Sequence, residues 1–122
     1  MIRLWLSVAG FGGMASVIAG AAAAHLGADP ATATLLTSGA LYGMIHAAAL
    51  VAVIALSQGH EPRRGAVFVA ANCFALGIVL FSLAQFAHAL TGLKAFAYAV
   101  PVGGTAFILG WAALAILALR RR

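Results

Sequence analysis

The sequence predicts an all-α integral membrane protein, an antiparallel bundle of four transmembrane helices with both the N- and C-termini cytoplasmic. Three observations lead there. Of 122 residues, 65% are hydrophobic and only 7% charged, whereas an ordinary soluble domain is about 25% charged. The apolar residues fall into four runs, each close to the roughly 20 residues that a helix rising 1.5 Å per residue needs to cross a hydrocarbon core about 30 Å thick. The basic residues lie in the gaps between those runs, mostly on one side of them.

The runs cover about residues 4–25, 35–56, 66–89 and 97–119, a single transmembrane domain over 1–122, with no linker of low hydrophobicity and high charge. Gly27-Ala28-Asp29-Pro30 closes the first run, and Ser57 to Arg64, with Gly59, Glu61 and Pro62, separates the second from the third. The short break Thr91-Gly92-Leu93-Lys94 makes the last two spans an antiparallel hairpin. Pro101 falls near the start of the fourth span, where it should kink the helix or occupy its first turn. A signal peptide ending at the small residues Ala21 to Ala24 is the competing reading of the first run. That run is longer than the usual 7 to 15 residues of a signal core.

Arg3, Arg63, Arg64, Arg120, Arg121 and Arg122 fall on one side of a four-span chain and Lys94 alone on the other. Cytoplasmic loops carry the excess of Lys and Arg, so the termini and the Ser57–Arg64 connection are expected inside. The formal net charge of +5 is therefore a topology signal rather than a sign of nucleic-acid binding, which would call for basic residues interleaved with exposed aromatics. The lone Cys73, within an apolar run, reads as a small buried residue.

Helices in lipid associate through close backbone approach, which small residues at four-residue steps permit. Gly12, Ser16, Gly20 and Ala24 form one such stripe, and Gly39, Gly43 and Ala47 a second. Polar side chains inside the spans are the candidates for chemistry. Ser38, Tyr42 and His46 recur at four-residue steps and share a face. An ionisable group inside a membrane should face the bundle interior and have a partner, so His46 is expected neutral, donating one hydrogen bond and accepting another. Asn72 lies in the inner half of the third span, and Ser82, Gln85 and His88 towards its outer end. His25 ends the first span at a depth similar to His88, an arrangement suited to two axial haem ligands on facing helices. Both acids, Asp29 and Glu61, are in connections, and no nucleophile–base set, phosphate-binding loop or clustered metal spacing is present. Catalysis is not expected, nor any metal or resident cofactor.

Several stretches carry a resemblance: Arg3-Leu4-Trp5-Leu6, Ala24-His25, Tyr42-Gly43-Met44-Ile45-His46-Ala47, Leu80-Phe81-Ser82, Ala89-Leu90-Thr91-Gly92, Pro101-Val102-Gly103-Gly104 and Gly110-Trp111. Along its whole length the chain resembles the bacterial domain-of-unknown-function-423 family, related to mitochondrial transmembrane protein 256. The resemblance implies a small four-helix protein of the bacterial inner membrane and no particular activity. His25 and His46 match family positions. His88 falls where relatives carry an aliphatic residue, and the family's Ser-Gly-Ser-Leu-Tyr reads here Ser82-Leu83-Ala84-Gln85-Phe86, which makes Gln85 and His88 a local specialisation. The function expected is that of a non-enzymatic accessory subunit of a larger respiratory or photosynthetic assembly. Its partners would be the lipid bilayer and either other membrane subunits or further copies of itself. The alternatives are a small oligomeric channel or carrier with a polar path around His46, and a haem or quinone site at His25 and His88.

Overall fold

A computed structural model describes residues 1–58 and 64–119. The expected turn residues Gly59, Glu61 and Pro62, and Arg63 and Arg120 to Arg122 of the basic cluster, lie outside the described residues. The described chain is helical throughout its spans: α1 (Ile2–His25), α2 (Pro30–Ser57), α3 (Arg64–Gly77), a π-helical segment (Ile78–Leu83), α4 (Ala84–Thr91) and α5 (Lys94–Leu119). The segment α3–π–α4 forms one continuous third span, Gly65–Thr91, so among the described residues four helices are long and apolar enough to cross a membrane. No strand occurs among the described residues.

Each helix is longer than its apolar run, for reasons visible at its ends. α2 starts five residues early because Asp29 is its N-cap, with its carboxylate accepting from the Ala31 and Thr32 amides at 3.0 and 3.1 Å. Pro30 occupies the first turn, where its missing N–H costs nothing. Hydrogen bonding by the Thr32 side chain, then by the Thr32 amide, holds the Asp29 carboxyl below its ordinary range. The polar Thr34 is accommodated because its hydroxyl donates back to the Pro30 carbonyl at 2.8 Å.

The hairpin between the third and fourth spans closes on Gly92, whose left-handed backbone (φ 69°) lets its amide donate to the His88 carbonyl at 2.8 Å. α5 then begins at Lys94, three residues before its apolar run, which moves Pro101 out of the first turn and into the helix body. The helix continues through it, and the Thr105 hydroxyl donates to the Pro101 carbonyl at 2.9 Å.

The π segment had no counterpart in the sequence reading. Ile78 to Leu83 is apolar apart from Ser82 and contains neither glycine nor proline. Against it packs α5. At Gly103 an added β-carbon would stand 2.6 Å from the Leu80 carbonyl carbon and closer still to the Phe81 nitrogen, so two backbones meet without side chains between them.

The core divides by depth. Trp5, Leu50, Val53, Val67, Ala70, Ala71, Phe74, Ile78 and Phe107 form a larger cluster, and Ala19, Leu36, Ala40 and Phe86 a smaller one. Side chains outside the bundle are equally apolar: Phe11 is 68% exposed and Ile108 69%. Lipid tails solvate such groups as well as the core does, so hydropathy identifies spans but not their inner faces.

Candidate functional site

His46 is 4% exposed, halfway along α2, and both of its ring nitrogens are engaged. Nδ1 lies 2.7 Å from the Tyr42 carbonyl oxygen one turn earlier, and Nε2 lies 3.1 Å from the indole nitrogen of Trp111 on α5. A carbonyl only accepts and an indole N–H only donates. The bonding pattern therefore assigns one species: neutral imidazole, protonated on Nδ1, accepting at Nε2. The sequence expectation of one donated and one accepted bond thus acquires named partners.

The two helices bring these groups to a common depth. His46 follows Pro30 by 16 residues, about 24 Å of helix, and Trp111 follows Lys94 by 17, about 26 Å. The helices run in the same direction, so the side chains meet. Around them stands an aromatic enclosure. Phe107 stacks on His46 with centroids 3.5 Å apart and planes 13° from parallel, while Phe74 tilts against it at 5.5 Å. Phe74 also packs edge-on to Trp111 at 5.2 Å. Tyr42, 43% exposed, lies parallel to the imidazole at 6.1 Å and against Phe81 at 4.9 Å. Ser38 is half-buried, one further turn away. The expected Ser38–Tyr42–His46 face therefore turns from half-exposed to fully buried along its length.

Glycines make room for these rings. A β-carbon on Gly110 would stand 2.5 Å from the Phe74 ring, and one on Gly77 would run into Phe107. Among the small-residue positions, Gly12 faces Ile78, with 2.5 Å from an added β-carbon to Cγ2, and Gly39 faces the Phe86 ring at 2.6 Å. Gly43 lies against the hydroxyls of Ser16 and Ser82, the point where α1, α2 and the π segment converge. Ser16 donates to the Gly12 carbonyl at 2.7 Å. The Ser82 hydroxyl is buried with no partner among the described residues. Gly20 is half-buried opposite Ala40, Ala47 is buried opposite Gly13, and Ala24 is exposed.

The remaining polar candidates are separate from this site. Asn72 is half-buried and donates to the Phe68 carbonyl of its own helix at 2.8 Å. Gln85 is buried in α4. His88 closes the hairpin turn, its Nδ1 donating to the Leu93 carbonyl at 3.0 Å, and His25 is exposed at the last residue of α1. No hydrogen bond joins these two histidines. Among the described residues no group of three or more His, Cys, Asp or Glu side chains could hold a metal ion. Cys73 is a free, half-buried thiol.

Sequence reasoning placed His46 inside but missed Trp111, Phe107 and Phe74. A signal was available. Trp usually sits at the membrane interface, whereas Trp111 lies deep in its span, and Phe107 and Trp111 repeat the four-residue spacing of Tyr42 and His46.

Comparison with known proteins agrees with this architecture. Residues 19–104 match the family model described as Protein of unknown function (DUF423). The chain is 32% identical over 122 residues to the UPF0382 inner membrane protein YgdD of Escherichia coli K12, covering 97% of this chain and 91% of that protein. It is also 32% identical over 118 residues to a UPF0382 membrane protein of Haemophilus influenzae, covering 94% and 93%. No solved structure matches. With four candidate spans and relatives of this kind along nearly its full length, the chain is a multi-pass inner-membrane protein that belongs to the DUF423 family.

Proposed function

We propose that this protein is a non-enzymatic accessory component of a larger inner-membrane assembly, presenting the outer faces of a rigid four-helix bundle to partner helices. The observation that carries this reading is the engagement of His46. This buried, ionisable side chain has its donor and acceptor both satisfied within the bundle, tying the second span to the fourth. Its chemistry serves the internal arrangement of helices, leaving the surface as the part able to act on something else. Close approach at Gly12, Gly39 and Gly43 supports the same reading, because in this proposal the small-residue seams close inside the chain and fix its shape. The enclosure also counts against a polar path around His46, since Phe107, Phe74 and Trp111 surround the imidazole and water would have to displace the indole to reach Nε2.

Solubilisation in mild detergent followed by blue-native electrophoresis tests the proposal. Migration with a larger complex, and co-purification of specific membrane subunits with a tagged chain, is the expected result. Migration solely as a free monomer or small homo-oligomer overturns it.

A further inference from the structure

We propose that the cleft at the arginine-rich end of the bundle is a binding site for an anionic phospholipid. The ends of three helices form it. Ile2 and Trp5 come from the start of α1, Ser57 and Gln58 from the end of α2, and Gly65 and Phe68 from the start of α3, enclosing about 590 Å³. Its chemistry is divided as an amphiphile requires. Trp5 and Phe68 meet edge to face at 5.7 Å to form an aromatic wall, and Phe68 and Ile2 continue onto the lipid-facing surface, 48% and 39% exposed. At the rim stand Ser57, Gln58 and the first turn of α3, whose leading amides have no partner within their own helix. The Trp5 indole N–H is buried at this wall without a hydrogen-bond partner among the described residues.

Charge selects the occupant. In the sequence, six of the seven basic residues, Arg3, Arg63, Arg64 and Arg120 to Arg122, flank the spans on the side where α1 begins, α2 ends and α3 begins, against one acid, Glu61. A zwitterionic headgroup gains little there, whereas a phosphatidylglycerol-type headgroup brings the uncompensated negative charge that the cluster lacks. Trp5 lies only about 5 Å along α1 from its first residue, the depth of headgroup and glycerol rather than of acyl-chain ends. A soluble anion would leave the aromatic wall unused. A phospholipid covers both wall and rim.

The chain has two tryptophans, so Trp111→Phe leaves Trp5 as the sole reporter. In vesicles that mix phosphatidylcholine with brominated phosphatidylglycerol, Trp5 fluorescence should be quenched beyond the mole fraction of brominated lipid. The excess should correspond to a preference of about fivefold or more, the factor one basic residue is worth near an anionic surface. Gly65→Leu adds a side chain at the cleft wall, where nothing lies within 4 Å of an added β-carbon, and it should abolish the preference. Native mass spectrometry of the wild-type chain provides the second measurement, independent of the Trp111 substitution. One phosphatidylglycerol should be retained after zwitterionic lipid is stripped, and lost in Gly65→Leu. Quenching that follows mole fraction, no retained anionic lipid, or equal retention by Gly65→Leu each overturns the proposal.

Discussion

A neutral imidazole has one donor and one acceptor, and at His46 the donor meets a carbonyl, which can only accept, and the acceptor meets an indole N–H, which can only donate. Because Trp111 can only donate, an imidazolium would face the indole N–H with a second proton, so the site is built for a single protonation state. The size of the interaction is a separate question. Leaving a buried polar group unpaired costs about 1–3 kcal/mol in soluble proteins. Interhelical hydrogen bonds in membranes average nearer 0.6 kcal/mol, because the membrane-embedded unfolded state also finds partners. The lower scale applies here, and the His46–Phe107 stack cancels out of a cycle between His46 and Trp111. We therefore predict a coupling energy of about 0.6 kcal/mol between His46→Leu and Trp111→Phe, measured as a double-mutant cycle of unfolding in mixed micelles. Strictly additive effects would show that the two side chains are neighbours without a bond. That His46 required a partner was legible from its place in an apolar span. The identity of the partner was not, because it lies 65 residues away and only the packed helices bring it near.

At the scale of elements, the four spans were readable because length and hydropathy are local properties, and their true ends were set by equally local chemistry at Asp29, Pro30 and Gly92. The inward faces were not readable, since Ile18 and Ile78 are chemically alike and only Ile78 is buried. The π segment was hidden for a related reason: its closest backbone neighbour, Gly103, lies on another helix. This distinction can be measured. A methyl added at Gly103 meets backbone atoms of Leu80 and Phe81, which cannot rotate away, whereas one at Gly10 meets nothing within 4 Å. Gly103→Ala should therefore destabilise the bundle by about 1–3 kcal/mol, the usual range for overpacking. Gly10→Ala should stabilise it by about 0.5–1 kcal/mol through helix propensity alone. Equal effects in a thermal or detergent unfolding series would mean that the third and fourth spans do not make this backbone contact.

For the whole molecule, the arrangement of spans has a consequence that the interior does not decide. Four crossings return the chain to the side on which it began, so Arg3, the end of α2 at Ser57, the start of α3 and the end of α5 at Leu119 share one face, and Asp29, Gly92 and Lys94 share the other. Nothing in the packing distinguishes inside from outside. The basic residues do, through the preference for retaining Lys and Arg in the cytoplasm, and the six-to-one division is large for so short a chain. A fluorescent protein fused after Arg122 should accordingly be bright and an alkaline phosphatase fused there inactive. The same pair inserted at Gly92 should give the opposite result. Since the first loop is also outside in this arrangement, a phosphatase fusion truncated at Ala28 should be active and one truncated at Gln58 inactive, which tests the number of crossings together with their direction. An active phosphatase at the C-terminus would reverse the orientation and place the arginine cluster, with the cleft beside it, on the periplasmic face. Replacing Arg63 and Arg64 with Gln while leaving Arg120 to Arg122 intact should weaken the bias without inverting it, because the remaining four arginines still outnumber Lys94. A mixed population in the paired reporters would be the signature of that weakening.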